Sequence, residues 1–402
     1  MGTNVPAQML PEARYLTSPR AAMTAVFIGY GVSSGMWAGT IPVVMRNSSV
    51  DSLMLGLGIT FYGIAYVIVM SSGGTLARFA SNRALILTGM PLVALTGALL
   101  LIATSPLWFL IALVLFGAAQ GLLDLFMNAE ASYVEADLKR PIFTRFHASA
   151  SGSMAVFALI GSLVSADANT AWAAIILCLG IAAAMVFAAR RLKPRYSAMA
   201  RAMPGAPAPL LTPLIILGLA AGLVIAGETA AIMWSAKLLD EQAPDLAAIA
   251  GLGTAFFGLC NSTIRAGGDG IRARFGDIPL ILGSLLLATT GFVLIGLSDN
   301  FLLSAVAFAV TGFGTACVIP AIFAITAKHM QENPARALGI VSLIAGLPRV
   351  LAPWFFGWVA TTHSTSFAFG LCAVAMAVAL GFILLLQMVQ KRATAPLPTK
   401  AL

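Results

Sequence analysis

Gly74-Thr-Leu-Ala-Arg78-Phe-Ala-Ser-Asn-Arg83-Ala-Leu85 and Gly268-Asp-Gly-Ile-Arg272-Ala-Arg274-Phe-Gly-Asp-Ile-Pro-Leu280 are two versions of one stretch. Each follows an apolar run, opens on glycine, carries arginine and leads into another apolar run. They stand about 194 residues apart in a chain of 402, which is how a duplication announces itself. Near the same offset Trp37-Ala-Gly39-Thr-Ile-Pro42 answers to Met233-Trp234-Ser-Ala-Lys237, and Phe116-Gly117-Ala-Ala-Gln-Gly121 to Thr311-Gly312-Phe-Gly-Thr-Ala316.

Composition sets the medium in which such repeats fold. Apolar residues are 59% of the chain and charged residues 9%, against roughly a quarter charged in a soluble domain, so the solvent is lipid. Apolar stretches of the ~20 residues needed to cross a bilayer fall at 20–45, 53–77, 84–104, 107–134, 144–166, 170–190, 211–235, 247–265, 278–298, 301–327, 338–361 and 366–390. They predict twelve helices, six in each half. Barrel strands alternate over ~10 residues, whereas these runs are continuous and rich in Leu, Ala and Gly, and in lipid a helix satisfies its own backbone.

Lys and Arg resist export and collect in cytoplasmic loops. With the amino terminus inside, only Arg46 and Lys237 of the 23 basic residues fall outside, and Arg349 falls within a helix. Both termini are therefore expected in the cytoplasm, and the formal charge of +8 reads as an insertion signal, not as a footprint for nucleic acid. The segment before Arg20 lacks the apolar core of a cleavable signal, which leaves the first helix as an uncleaved signal-anchor. The expected organisation is a cytoplasmic segment over 1–19, a first bundle over 20–190, a basic linker over 191–210, a second bundle over 211–390 and a cytoplasmic tail over 391–402. The linker carries Arg191, Lys193, Arg195 and Arg201, then Pro204, Pro207 and Pro209, and reads as a tether between the halves. Cys178, Cys260, Cys317 and Cys372 stand singly in different helices without metal-ligand spacing, so neither a zinc site nor a disulfide is expected.

The second loop, with Arg265, Gly268, Asp269, Arg272, Arg274, Phe275 and Gly276, is similar to the loop signature of the major facilitator superfamily. The first copy is degenerate, with Arg78 where the signature has aspartate. Gly121-Leu-Leu-Asp124-Leu-Phe-Met-Asn128, Val134-Glu135, Arg140-Pro-Ile, Phe146-His147-Ala and Ser151-Gly152 resemble a bacterial branch allied to fucose-type proton symporters, as do Glu228, Trp234 and Ala352-Pro353-Trp354. The resemblance covers almost the whole chain. It implies an all-α membrane protein of twelve transmembrane helices in two six-helix bundles with pseudo-two-fold symmetry. The bundles would rock about a central cavity and expose it to each side in turn, with helices 1, 4, 7 and 10 lining it and 2, 5, 8 and 11 at its sides. By the same resemblance Asp269, Arg272 and Arg274 form a cytoplasmic latch from helix 8 to helix 11, which Arg78 cannot repeat. No solute is named, because a handful of cavity residues changes it within one fold.

Charge inside the membrane costs roughly 2.5 to 3.5 kcal/mol at a helix centre on insertion scales, so each instance points to function. Arg349 lies about halfway along the eleventh run, some 15 to 17 Å from either end, too far to snorkel. Its planar fork fits a carboxylate or phosphate, and Pro348 and Pro353 beside it free carbonyls. Two readings stay open, a cation for an anionic solute or a standing ion pair with Glu228 or Asp124. Asp124, Asn128 and Glu135 share a face of the fourth helix, because steps of four and eleven residues return to within about 40° and 20°. Asp124 is the deepest, and a carboxyl there can alternate between protonated and ionised as the cavity hydrates or Arg349 approaches; a structural carboxyl bonded to a neighbouring helix is the other reading. Glu228 is the second coupling candidate or half of an outer-gate ion pair, and Trp234 an amphipathic wall for a solute. Glu135 reads as a gate or a loop contact, and Arg145, on one stripe of the fifth helix with Ser149 and Ser153, as a gate residue. His147 is a titratable gate residue or a hydrogen bond to the loop.

Gly31, Gly35 and Gly39 recur every four residues, a smooth ridge for close helix approach. The same stretch spells G-x-S-x-G, but that motif needs a strand-to-helix elbow, so no enzyme is expected. No G-x-x-x-x-G-K-[ST] loop occurs, which removes ATP as an expected energy source, and no cofactor is called for. The reading that results is proton-coupled symport of a small polar, anionic solute by a monomer in the bacterial inner membrane, with solute, protons and lipid as its partners. Asp124 and Glu228 would handle the proton, and Arg349, Asn128 and Trp234 the solute. Asp269, Arg272, Arg274, Arg265, Glu135, Arg145 and His147 would act at the gates. A proton antiporter exporting a drug or metabolite, and a lipid-handling or signalling membrane protein without flux, stay open.

Overall fold

Long apolar runs become helices because lipid offers backbone N–H and C=O groups no other partner. The computed structural model describes residues 19–139, 142–195, 211–329 and 334–394, and these are almost wholly helical, with no strand among them. The expected terminal and linker segments 1–18, 196–210 and 395–402 lie outside the described residues, as do 140–141. Twelve long helices follow in order: α1 (Pro19–Ser48), α2 (Ser52–Ser71), α3 (Asn82–Leu101), α4 (Pro106–Leu138), α5 (Phe143–Val164), α6 (Ala171–Ala189), α7 (Leu211–Gln242), α8 (Leu252–Phe275), α9 (Asp277–Leu297), α10 (Phe301–His329), α11 (Pro334–Thr362) and α12 (Thr365–Thr394). α10 consists of two segments, Phe301–Thr315 and Val318–His329, and a short helix, Gly73–Phe79, follows α2. Asp51, Ser81, Ser105 and Asn300 start α2, α3, α4 and α10 by accepting a backbone N–H three residues on, which satisfies one of the orphan donors of each first turn.

Among the described residues eleven helices are long and apolar enough to cross a membrane. The one left out is α1. It has 30 residues, but Gly31, Ser33, Gly35 and Gly39 dilute its middle. All four are buried, so the dilution serves packing: a Cβ on Gly35 would lie 2.3 Å from the Met154 carbonyl of α5, and one on Gly39 1.9 Å from the Ala158 carbonyl. Gly35→Ala is therefore expected to cost about 1 to 3 kcal/mol by overpacking. Gly63→Ala on α2, where a Cβ meets nothing within 4 Å, is expected to stabilise by up to ~1 kcal/mol through helix propensity. Opposite shifts in thermal midpoint of the detergent-purified chain check both; equal shifts contradict the packing role.

α1 packs on α5 and α6, α2 and α3 on α4, and α3 on α6. In the second half α7 packs on α11 and α12, α8 and α9 on α10, and α9 on α12. Adding six to each member of the first set yields the second, as the expected pseudo-two-fold symmetry requires. The halves meet through α2 against α11 and α5 against α8, two contacts that the same operation exchanges. Antiparallel succession gathers Arg78, Arg83, Lys139, Arg190, Arg191, Arg272, Arg274 and Lys328 at one end of the molecule, the basic end.

Candidate functional site

Four helices bring polar side chains together near mid-membrane. Arg349 stands near the midpoint of α11, with its guanidinium carbon 4.9 Å from the ring centre of Tyr66 on α2, a cation–π contact. The Tyr66 hydroxyl donates to Asp124 Oδ2 of α4 at 2.5 Å. One turn on, Asn128 Nδ2 donates to Asp124 Oδ1 at 3.0 Å and to the Asp124 carbonyl at 2.8 Å. Tyr62 stacks on Tyr66 at 6.2 Å, and Tyr62 and Tyr30 of α1 lie within electrostatic reach of the guanidinium. One turn before Asp124, the buried Gln120 donates Nε2 to Ser33 Oγ at 3.0 Å and Ser34 Oγ at 3.4 Å. Gln120, Asp124 and Asn128 form one stripe, since four residues make about one turn.

Arg349, Asp124, Asn128 and Tyr62 are only half-buried. A guanidinium at that depth is costly in lipid, so this partial exposure points to a polar space between the helices. Among the described residues no carboxylate lies within 4.0 Å of Arg349. The standing ion pair with Asp124 or Glu228 that the sequence left open is thus not formed: Tyr66 stands between Arg349 and Asp124, and Glu228 has another partner. The sequence reading missed Gln120, Tyr30, Tyr62 and Tyr66. Gln120 extends the Asp124–Asn128 spacing by one turn, and Tyr62 and Tyr66 repeat at that spacing, so the signal was there for α4 and α2 singly.

Glu228 of α7 pairs with Arg265 of α8, Oε1 to Nη2 3.3 Å. Asn261 donates to the same Oε1 at 3.2 Å and to Thr315 Oγ1 at 3.3 Å, and Arg265 Nε donates to the Ala316 carbonyl at 3.3 Å. That carbonyl sits where α10 is interrupted between its two segments, and a broken helix inside a membrane needs such a donor. A coupling candidate and a gate candidate, Glu228 and Arg265, therefore belong to one network across α7, α8 and α10. Arg265 also lines, with His147 and Arg272, a cavity of about 340 Å³ between α5, α8 and α10 toward the basic end. His147 packs its ring against Phe27 and Phe143, centroids 5.2 and 5.0 Å away; it is a wall of this cavity, and the loop hydrogen bond open from sequence is not made among the described residues.

The remaining candidates go elsewhere. Trp234 is fully buried, 4.6 Å from Phe356 between ring centres, in the wall of an apolar cavity of about 380 Å³ between α7, α11 and α12. Glu135 resolves as a loop contact: its Oε2 accepts the Ile142 and Phe143 N–H groups at 2.8 and 2.7 Å, an anion on the donor end of α5. Arg145 is exposed on the first turn of α5, and Arg274 is exposed beside Phe275. Arg272 bonds Asp277 Oδ1 at 3.0 and 3.1 Å, and Lys328 reaches Asp277 Oδ2 at 2.7 Å, so this corner ties α8, α9 and α10 together. The side chain of Asp269, and with it the expected latch to helix 11, lies outside the described residues. The linker expectation changes at its start: Arg195 faces the buried Glu130 at 3.5 Å, pairs with Asp137 and accepts Asn82 N–H at 2.7 Å, which fastens the chain to α3 and α4 as far as residue 195.

The end opposite the basic one is shut. Arg46 of α1 and Asp240 of α7 pair at 2.5 Å. α2 and α11 touch backbone to backbone, where a Cβ on Gly56 would lie 2.4 Å from the Pro353 carbonyl and one on Gly357 2.3 Å from that of Ser52. Trp354 N–H donates to Thr60 Oγ1 at 3.1 Å. α5 and α8 close the other side, with Gly251 N–H donating to Ser162 Oγ at 3.1 Å. Arg46 is 53% exposed, so its pair is worth ~0.2 to 1 kcal/mol. Arg46→Ala is expected to speed thiol labelling of a cysteine placed at the buried Met45 about two- to fivefold, with the double exchange Arg46→Asp and Asp240→Arg restoring the slow rate.

Residues 247–401 match the family model for the Major Facilitator Superfamily. Along most of its length the chain is similar to an uncharacterised MFS-type transporter of Yersinia pestis, 27% identical over 89% of this chain and 93% of the relative. It is similar too to an uncharacterised transporter of Sinorhizobium fredii, 28% identical over 91% of this chain and 98% of the relative. Among solved structures it superposes on a bacterial homologue of the human lysosomal transporter Spinster in an inward-facing, unoccupied conformation, with a TM-score of 0.73 and 12% identity over 96% of this chain and all but 1% of the other, covered to 99%. The architecture is the major facilitator fold, and the family match and relatives support a multi-pass membrane transporter of that superfamily.

Proposed function

We propose that the chain is a secondary active transporter that carries a small organic acid together with protons by alternating access. The observation that supports this is Arg349, a half-buried guanidinium near mid-membrane with no carboxylate within pairing distance among the described residues. A cation in that setting is paid for only if something anionic meets it during the working cycle. Its planar donor fork suits a carboxylate, and the stacked Tyr62 and Tyr66 supply a flat wall beside it. Asp124, bonded by Tyr66 and Asn128 and within electrostatic reach of Arg349, is the group we assign to the proton. An arriving acid and Asp124 compete for the same guanidinium field, which links the two occupancies. Glu228 with Arg265 is the second proton-linked pair and joins the interrupted α10 to the same cycle.

The positive-inside rule places the basic end in the cytoplasm. The conformation, shut at the other end, then corresponds to the inward-facing one, and the bacterial relatives support a location in the cytoplasmic membrane. The finer resemblance to fucose-type proton symporters fits this assignment. Uptake of a panel of radiolabelled acids into proteoliposomes, with and without an imposed pH gradient, tests it. Acceleration by inward proton flow is expected. Flux indifferent to the gradient removes proton coupling, and lipid scrambling without solute flux moves the chain to the lipid-handling class.

A further inference from the structure

We infer that the cavity between α5, α8 and α10 is a second binding site, which takes an anion with an apolar body, an organic acid from the cytoplasm or the acidic head of a lipid. It shares no residue with the Arg349 site and does not depend on how that site is read. Its place follows from where the two bundles part. Ser262 Oγ of α8 donates to the Ala148 carbonyl of α5 at 2.7 Å, and on the basic side of this bond the two helices enclose about 340 Å³ with α10. Steps of three and four residues turn one face of a helix to that space, with Arg265, Gly268 and Arg272 on α8 and Thr144 and His147 on α5. The volume falls within the roughly 300 to 1,000 Å³ of small-molecule sites.

Among the described residues, none that lines the cavity carries a carboxylate. Glu135, the acid beside the first turn of α5, is taken up by the Ile142 and Phe143 N–H groups. The Arg265 guanidinium has several N–H groups; Glu228 takes one at Nη2 and the Ala316 carbonyl another at Nε. Its side chain is 23% exposed, so part of the fork is left to the cavity. His147 is half-buried, and its ring meets the rings of Phe27 and Phe143, neither of which accepts a strong hydrogen bond. Arg272, 24% exposed and held by Asp277, adds a second guanidinium nearer the basic end. The other walls are apolar, with Phe143 on α5 and Ile319, Pro320 and Phe323 on α10. A bare inorganic anion would meet the donors and leave these walls wet; a hydrocarbon would cover the walls and leave the donors unmatched. An anion with an apolar body meets both.

Calorimetry on the detergent-purified full-length chain tests this, in the parent and in Arg349→Ala, which removes the other anion site. The probes are benzoate, phenylacetate and 3-phenylpropionate, their ring-free counterparts formate, acetate and propionate, and benzyl alcohol and benzylamine. In both chains at least one ring acid is expected to bind about tenfold tighter or more than its ring-free counterpart, through burial of the ring, and tighter than the alcohol or the amine. Two further substitutions are made in the Arg349→Ala chain. Thr144→Trp, which fills the cavity from the α5 side, is expected to weaken the ring acid about tenfold or more. His147→Phe, which keeps the ring packing and removes the donor, is expected to weaken it about two- to tenfold. Competition by phosphatidylglycerol in the micelle, but not by phosphatidylcholine, assigns the site to a lipid head, and no competition assigns it to a free acid. No ring-acid binding by Arg349→Ala, equal affinity for benzyl alcohol, or binding untouched by both cavity substitutions overturns the inference; should one of them fail to fold, the other decides. Ring acids bound only through Arg349 would remove this site and leave the proposed transport standing, whereas binding here by a chain that moves no acid would do the reverse.

Discussion

Arg349→Ala lowers uptake about a hundredfold or more and leaves the protein at least as heat-stable as the parent. Truncating one side of a buried, hydrogen-bonded charge pair costs about 2 to 5 kcal/mol, and each 1.4 kcal/mol is tenfold in affinity. The stability half of the result separates a solute ligand from a structural cation. Arg349 has no ion-pair partner among the described residues, and what it meets is Tyr66, by the ring face and by a side-chain hydrogen bond, so its removal costs one neutral partner while relieving the desolvation of a whole charge. Arg349→Lys keeps the charge without the planar fork and is expected to fall between, about tenfold below the parent. Uptake in proteoliposomes and the thermal midpoint in detergent read the two halves. A midpoint that drops in step with uptake would assign Arg349 to the fold.

Asp124→Asn is expected to abolish accumulation against a gradient while solute exchange across the membrane continues. Asparagine keeps the size and can still accept from Tyr66 but cannot take up a proton, so a carrier that depends on this carboxyl loses its drive and not its path. The loss in gradient-driven accumulation should reach about tenfold or more, given the 10²–10⁴ typical of a positioned proton-transfer group. Counterflow of labelled solute in the same vesicles supplies the comparison. Driven uptake that survives the substitution would pass the proton to Glu228, whose exchange for glutamine is the next variant to make.

The helices were legible because their cause is local: a run of apolar residues has to satisfy its own backbone wherever lipid surrounds it. α1 shows the limit, since its glycines and serines answer to α5 and not to lipid. The stripe on α4 was legible in part for the same reason, as spacing along one helix is sequence arithmetic. What joins helices was not. That Tyr66 stands between Arg349 and Asp124, or that Glu228 meets Arg265 across 37 residues, depends on crossing positions that no periodicity encodes. Trp234 is a further case: its type suggested a solute wall, and only the packing shows which cavity it lines, the apolar one beside Phe356 and α12, about 120° round α7 from Glu228.

Arg46 and Asp240 are 194 residues apart, the spacing that separates Gly74 from Gly268, and each stands two residues before the end of its helix. They occupy corresponding places near the ends of α1 and α7 and face each other across the shut end. Identical residues would set arginine against arginine there, or aspartate against aspartate. Two identical halves could not form this lock. The lock depends on opposite signs at the two places, so here the unlikeness of the halves is itself the working part.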